Sequence, residues 1–203
     1  MDLESDKGLP LKDLCTFQEG YVNPPQDEPS FFDGNIKWLR AVDINESFII
    51  QTSRTLSDKG FQSAKKSAFL YPPNSIAISK SGTIGRLGII GDCMCGNRAV
   101  IGIMPKDRRF LPLVYSFLKT NQREIELLAV GSVQKNLYVS QLEQLTIPAM
   151  KREDLDSFLS YGSSVLSQIE NTCREIDELS QTRDVLLPKL MSGEIDVDSI
   201  EID

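Results

Sequence analysis

With 203 residues, 40% of them hydrophobic, the chain can bury one sizeable core and still carry an appendage. Its apolar runs, such as the stretch around Phe48-Ile49-Ile50, are far shorter than the roughly 20 residues that a bilayer-crossing helix needs. A net charge of −7 with no histidine excludes Ser-His and Cys-His catalytic pairs and removes the commonest zinc ligand.

Met1–Lys7 holds three acidic residues and no apolar stretch, unlike a secretory signal, so the expected compartment is the cytoplasm. The negative charge is unevenly spread. Residues 30–140 carry 15 Lys+Arg against 8 Asp+Glu, residues 1–29 carry 2 against 7, and residues 141–203 carry 5 against 14. A basic centre between acidic ends suits a body whose middle alone meets a phosphate backbone. The cysteines Cys15, Cys93, Cys95 and Cys173 are scattered, which favours reduced thiols and no metal site.

Asn23-Pro24-Pro25 reads as a turn, and Ile36–Leu39, containing Trp38, as a strand. Further strands are expected at Ser75–Ser79, Leu87–Ile90 and Ala99–Ile103, separated by Pro72-Pro73-Asn74 and Ser81-Gly82. Leu113, Val114, Phe117 and Leu118 recur at helical spacing within Pro112–Asn121, and Ser140–Glu143 opens like a capped helical turn. Residues 1–150 therefore read as one mixed α+β domain.

From Arg152 to Met191 the only breakers are Gly162 and Pro188, which predicts a single long helix over 151–191. Leu155, Gly162, Ile169, Ile176, Arg183 and Leu190 fall seven apart, as do Phe158, Val165, Thr172, Leu179 and Leu186. This is a heptad seam with polar interruptions, suited to pairing with another helix, either in a second copy or in another part of the same subunit. A helix folded back on its own body is the competing reading. Residues 192–203 form an acidic tail with alternating apolar residues, suited to a short edge strand or to disorder.

Several segments resemble one family in chain order. Gln18-Glu19-Gly20 and Phe32–Ile44 resemble the opening of a target-recognition domain in type I restriction-modification specificity subunits. Ser79–Gly88 resembles that family's glycine-bearing hairpin, Cys95–Val100 the strand after it, and Gly131–Leu137 with Ile147-Pro148 its closing segment. Leu186-Leu187-Pro188-Lys189-Leu190-Met191-Ser192-Gly193-Glu194-Ile195-Asp196-Val197 resembles the closing segment of these specificity subunits. The resemblance implies a non-catalytic protein that needs no cofactor. It would read one half of a split site on double-stranded DNA and dock methyltransferase and restriction subunits. A full specificity subunit resembles two recognition domains and two helices, whereas this sequence holds one of each. It is expected to be either a natural half-subunit or the C-terminal half of a longer protein.

Candidate DNA contacts follow from side-chain chemistry. Lys80 and Arg86 supply charge in the glycine hairpin, and Ser81 and Thr83 supply hydroxyls. Gln134, Lys135 and Asn136 are candidate base readers, since Gln and Asn pair with adenine and Lys reaches guanine. Arg40, Lys65, Lys66 and Arg98 are candidate phosphate contacts, with Arg54 a further cation. Each also suits a plainer role, as a glycine turn or a polar loop.

Two rival functions are weighed. Asn23-Pro24-Pro25-Gln26 resembles the start of an adenine-methyltransferase motif, but Gln26 replaces the aromatic residue and no glycine-rich methyl-donor turn is present. A coiled-coil scaffold with no DNA readout is the other.

Overall fold

A computed structural model of the chain describes residues 8–132 and 135–195. In chain order the elements are β1 (Leu9–Pro10), α1 (Leu11–Leu14), β2 (Cys15–Glu19), β3 (Phe32–Leu39), β4 (Phe48–Ile49) and β5 (Thr55–Leu56). Then come α2 (Asp58–Gln62), β6 (Leu70–Tyr71), β7 (Ile76–Ser79), β8 (Leu87–Ile90), β9 (Met94–Gly96) and β10 (Val100–Pro105). The last are α3 (Leu111–Thr120), α4 (Gln122–Leu127), α5 (Val139–Leu142), β11 (Thr146–Ile147) and α6 (Arg152–Met191).

Five strands form one sheet in the order β2-β10-β7-β8-β4, antiparallel except for β4 against β8. A second sheet runs β5-β3-β9-β6, with β3 parallel to β9. Strands β1 and β11 make a third, two-stranded sheet. Strand alternation sorts the core into layers. Ile76, Ile78, Leu87, Ile89, Ile101 and Ile103 turn to one face, where Leu111, Val114, Leu118 and Ile125 of the helices cover them. Ala77, Ile90 and Val100 turn to the other, against Leu39, Met94 and Tyr71 of the second sheet. Both faces of β7, β8 and β10 are therefore dry, which is why those strands are nearly pure aliphatic.

Tyr71 is the hinge of the sheet–sheet contact. Its ring fills space left by two glycines: a Cβ would lie 2.6 Å from the ring at Gly96 and 2.5 Å at Gly102. Its hydroxyl donates to the Gln18 carbonyl at 3.2 Å, so the buried oxygen is satisfied. Trp38 is also core: its Nε1 donates to the Val22 carbonyl at 2.8 Å and its ring lies 5.9 Å from that of Phe32.

The strands read from the sequence are all present, and the helix at Pro112–Asn121 is α3. The turn expected from Ser140 begins one residue earlier as α5, where Gln141 Oε1 accepts from the Tyr138 N–H at 2.8 Å. The 40-residue α6 is continuous through Pro188 and ends where Gly193 adopts φ +74°. There the Glu194 N–H reaches the Lys189 carbonyl at 3.0 Å and the Gly193 N–H reaches that of Leu190 at 3.2 Å, a Schellman stop. Most of the acidic tail, 196–203, lies outside the described residues.

The competing fold-back arrangement describes the first part of α6. The first half of α6 is not free of the body: Leu155 is 2% exposed within the main core cluster, and Phe158, Leu159, Leu166 and Cys173 pack against that cluster. Gly162 lets Pro112 of α3 approach, since a Cβ there would lie 2.7 Å from the proline ring. From Glu178 to Met191 every side chain except Ser180 and Lys189 is exposed.

Candidate nucleic-acid interface

The loop from β7 to β8 is braced by one buried hydroxyl. Ser79 Oγ accepts from the Arg86 N–H at 2.9 Å and donates to the Thr83 carbonyl, while the Gly85 N–H reaches the Ser79 carbonyl at 2.9 Å. Gly82 (φ +75°) and Gly85 (φ +82°) adopt the left-handed backbone that the reversal requires. Thr83 is exposed in this loop.

Lys80 joins three segments. Its N–H donates to the Ala99 carbonyl at 2.8 Å and its carbonyl accepts from the Leu137 N–H at 2.9 Å. Its ammonium lies 3.0 Å from the Glu19 carboxylate and 5.8 Å from the centre of the Tyr138 ring. The main-chain bond from Leu137 docks the segment after Asn136 beside the hairpin. Reciprocal bonds between Val130 and Asn136, at 3.0 and 2.9 Å, bracket the residues between them. Lys135 is exposed, and Gln134 lies outside the described residues.

Arg98 is exposed in the turn from β9 to β10, where Asn97 Oδ1 accepts from the Ala99 N–H at 3.0 Å. Lys80, Ser81, Arg98 and Asn136 thus line one polar groove of about 450 Å³ together with Glu19, Tyr21, Asn97 and Tyr138. Tyr21 is 43% exposed and Tyr138 44%. Cations can neutralise phosphates, amides and hydroxyls can bond base edges, and tyrosine rings offer stacking faces.

The other candidates do not line this groove. Arg86 is half-buried directly after Gly85, and its charge helps hold the Glu46 carboxyl low, behind the larger effect of Lys119 at 2.8 Å. Arg40 sits 5.4 Å over the Trp38 ring and donates to Ser53 Oγ at 2.6 Å beside Asp43. Lys65 and Lys66 are exposed in a 3-10 turn between α2 and β6. Arg54 stacks 3.8 Å over Phe32 and donates to Gln26 at 2.8 Å.

Sequence reading missed Glu19, Tyr21, Asn97 and Tyr138. Their convergence depends on β2 pairing with β10, which puts Glu19 opposite Ile101, more than 80 residues on. No local pattern marks it. Among the described residues no group of three or more His, Cys, Asp or Glu is placed to hold a metal ion, and no helix is long and apolar enough to cross a membrane.

On α6 the seam positions Ile169, Ile176, Leu179, Leu186 and Leu190 are exposed, Leu179 by 62%; Val165 and Phe158 are half-buried. The body thus carries a polar, cation-lined groove and bears a helix with an exposed apolar stripe. The sequence profile of the type I restriction modification DNA specificity domain matches residues 7–152. The chain belongs to this family.

Among curated members, it is 26% identical over 178 residues to the type I restriction enzyme HindI specificity subunit of Haemophilus influenzae, covering 85% of this chain and 38% of that protein. It is 27% identical over 209 residues to the MjaIX specificity subunit of Methanocaldococcus jannaschii, covering 98% of this chain and 47% of that one. The chain therefore spans less than half the length of these specificity subunits. Its fold is similar to the crystal structure of the type I restriction-modification S subunit from M. genitalium, with a TM-score of 0.59 at 20% identity, over 95% of this chain and 48% of that chain.

Proposed function

We propose that this member of the specificity-domain family is a non-catalytic DNA reader acting in the cytoplasm. Residues 1–150 form its reading body, residues 151–191 its pairing rod and residues 192–203 an acidic tail. The body would recognise one half of a bipartite site on double-stranded DNA for a type I restriction-modification complex. Methyltransferase and restriction subunits would dock on the assembled protein. The observation that carries this reading is the groove of Lys80, Ser81, Arg98 and Asn136 flanked by Tyr21 and Tyr138. Its cations Lys80 and Arg98 belong to the chain's net-positive central segment, while Glu19 and Tyr21 come from the acidic first 29 residues.

Lys80 and Arg98 would hold phosphates, with Lys135 beside them. Asn136, Gln134 and Ser81 would meet base edges, and Thr83 and Arg86 would approach from the hairpin. Arg40, Lys65 and Lys66 are peripheral cations in this scheme.

The exposed apolar face of α6 from Ile176 onward supports pairing with a second helix. Ile176, Leu179, Leu186 and Leu190 expose a stripe whose burial would contribute about 1.5–3 kcal/mol per fully covered side chain. The partner is a second copy or the other half of a longer subunit. Antiparallel pairing puts two reading bodies at opposite ends of the rod, and a two-fold arrangement calls for an inverted repeat with an unread gap.

The test is selection from a pool of random duplexes by the purified chain, followed by sequencing. Enrichment of a short motif, repeated in inverted orientation at a set spacing, is expected. A recovered pool no different from the input would contradict the reading.

A further inference from the structure

Two kinds of contact hold α6 to the body. From Leu155 to Leu166 the contact is apolar, running along α3. Further along it becomes polar. Cys173 Sγ lies 3.3 Å from Ser47 Oγ, and Gln51 Nε2 donates to Asp177 at 3.0 Å. Between them Arg174 donates to the Gly91 carbonyl at 2.9 Å, to Asp92 Oδ1 at 3.1 Å and to Glu170 at 2.8 Å.

The Asp92 carboxylate is shared. Its second oxygen accepts from Lys37 Nζ at 2.6 Å, and that ammonium also reaches the Ile50 carbonyl at 2.6 Å. Lys37 belongs to β3 of the second sheet, while Ile50 and Gly91 directly follow β4 and β8 of the first. One carboxylate therefore ties the middle of the helix to both sheets. Burial alone would raise the Asp92 carboxyl, but the bonds from Lys37 and Arg174 outweigh it and hold the group below its ordinary value. Asp177 is the last α6 residue that hydrogen-bonds to the body among the described residues.

The clasp sits where leverage is greatest. With it, the free part of the helix is the 14 residues after Asp177, about 21 Å long; without it, the last apolar anchor is Cys173 and the lever grows to about 27 Å. A tilt of about 10° would then move the tip by about 5 Å, between one and two base-pair steps.

We infer that the Arg174–Asp92–Lys37 clasp sets the length of the unread gap between half-sites, by fixing the angle at which the rod leaves the body. Asp92 and Arg174 are positioning residues in this role, which rests on the bipartite reading proposed above.

The experiment repeats the duplex selection with the wild-type chain, Asp92→Ala, Arg174→Ala and Arg174→Lys, and reads half-site bases and gap length separately. A merely structural role would lower recovery without moving the gap. For the two alanine variants we expect unchanged half-site bases and a broadened gap, with sites one or two base pairs off the wild-type gap recovered to within about tenfold of the preferred ones. Arg174→Lys, which keeps the charge and loses the fork, should fall between. A gap as sharp as that of wild type in both alanine variants overturns the clasp and leaves the DNA-reading function intact. Altered half-site bases in a variant that melts like wild type overturn it as well, by making Asp92 a reader. If wild type enriches no bipartite site, the functional reading falls and the clasp with it. Should Asp92→Ala fail to fold, Arg174→Ala decides alone, because Arg174 sits on the helix surface with its side chain 36% exposed.

Discussion

Lys80 and Glu19 form an ion pair at 3.0 Å in the proposed DNA groove, with the lysine side chain only 14% exposed. The carboxylate orients the ammonium and also cancels its charge. Glu19→Gln should therefore strengthen binding to random duplex DNA and steepen the dependence of log K on log salt by about 0.9, the contribution of one released cation. Fluorescence anisotropy across a salt series measures both quantities. A weaker, flatter response would mean that alignment by Glu19 matters more than the charge it cancels.

Leu155 and Leu179 both occupy heptad positions, yet one is core and the other open to solvent. A seven-residue repeat drifts by about 20° per heptad on a straight helix, so the seam turns by about 100° between Leu155 and Leu190. It begins against the body and ends facing away. Leu155→Ala should cost about 2–5 kcal/mol in denaturant unfolding of the monomer. Leu179→Ala should leave monomer stability within about 0.5 kcal/mol and weaken self-association in sedimentation experiments.

Tyr71 fills the space left by Gly96 and Gly102, and neither position has room for a methyl group. Gly102→Ala is expected to destabilise the fold by about 1–3 kcal/mol through overpacking. Equal melting of variant and wild type by circular dichroism would show that the two sheets can separate at no cost.

Burial pushes the thiols of Cys15 and Cys95 up to about 12. In the unfolded chain a thiol ionises near its ordinary value, so the native state keeps protons that the unfolded state releases. The associated stability is whole below about pH 8.5 and is lost progressively as pH rises toward 12. The melting temperature should fall steadily across that alkaline range. At pH 8, iodoacetamide should modify the exposed Cys93 well before Cys15 or Cys95, as read by mass spectrometry.

Much of the scaffold is legible locally. The runs that become β7, β8 and β10 are aliphatic because both their faces are covered, and Gly193 marks the end of α6 through its backbone conformation. The groove is different. Lys80, Arg98 and Asn136 carry the right chemistry in the sequence, but Glu19, Tyr21 and Tyr138 join them only through β2–β10 pairing and the bond from Leu137 to Lys80. Cations placed in one class by composition separate in space: Arg40 is engaged with Ser53 and Trp38 and Arg54 with Gln26 and Phe32, and neither lines the groove. The heptads of α6 are legible, but their rotation off the body is not, since it depends on the phase at which Leu155 enters the core.

If phosphates and bases are held in the groove of Lys80, Ser81, Arg98 and Asn136, the salt dependence of duplex binding by the wild-type chain beside Arg98→Ala tests it most directly. Wild type should show a steep, linear fall of log K with log salt, and the variant a slope shallower by about 1 at unchanged melting temperature. Superimposable salt curves for the two proteins would contradict it.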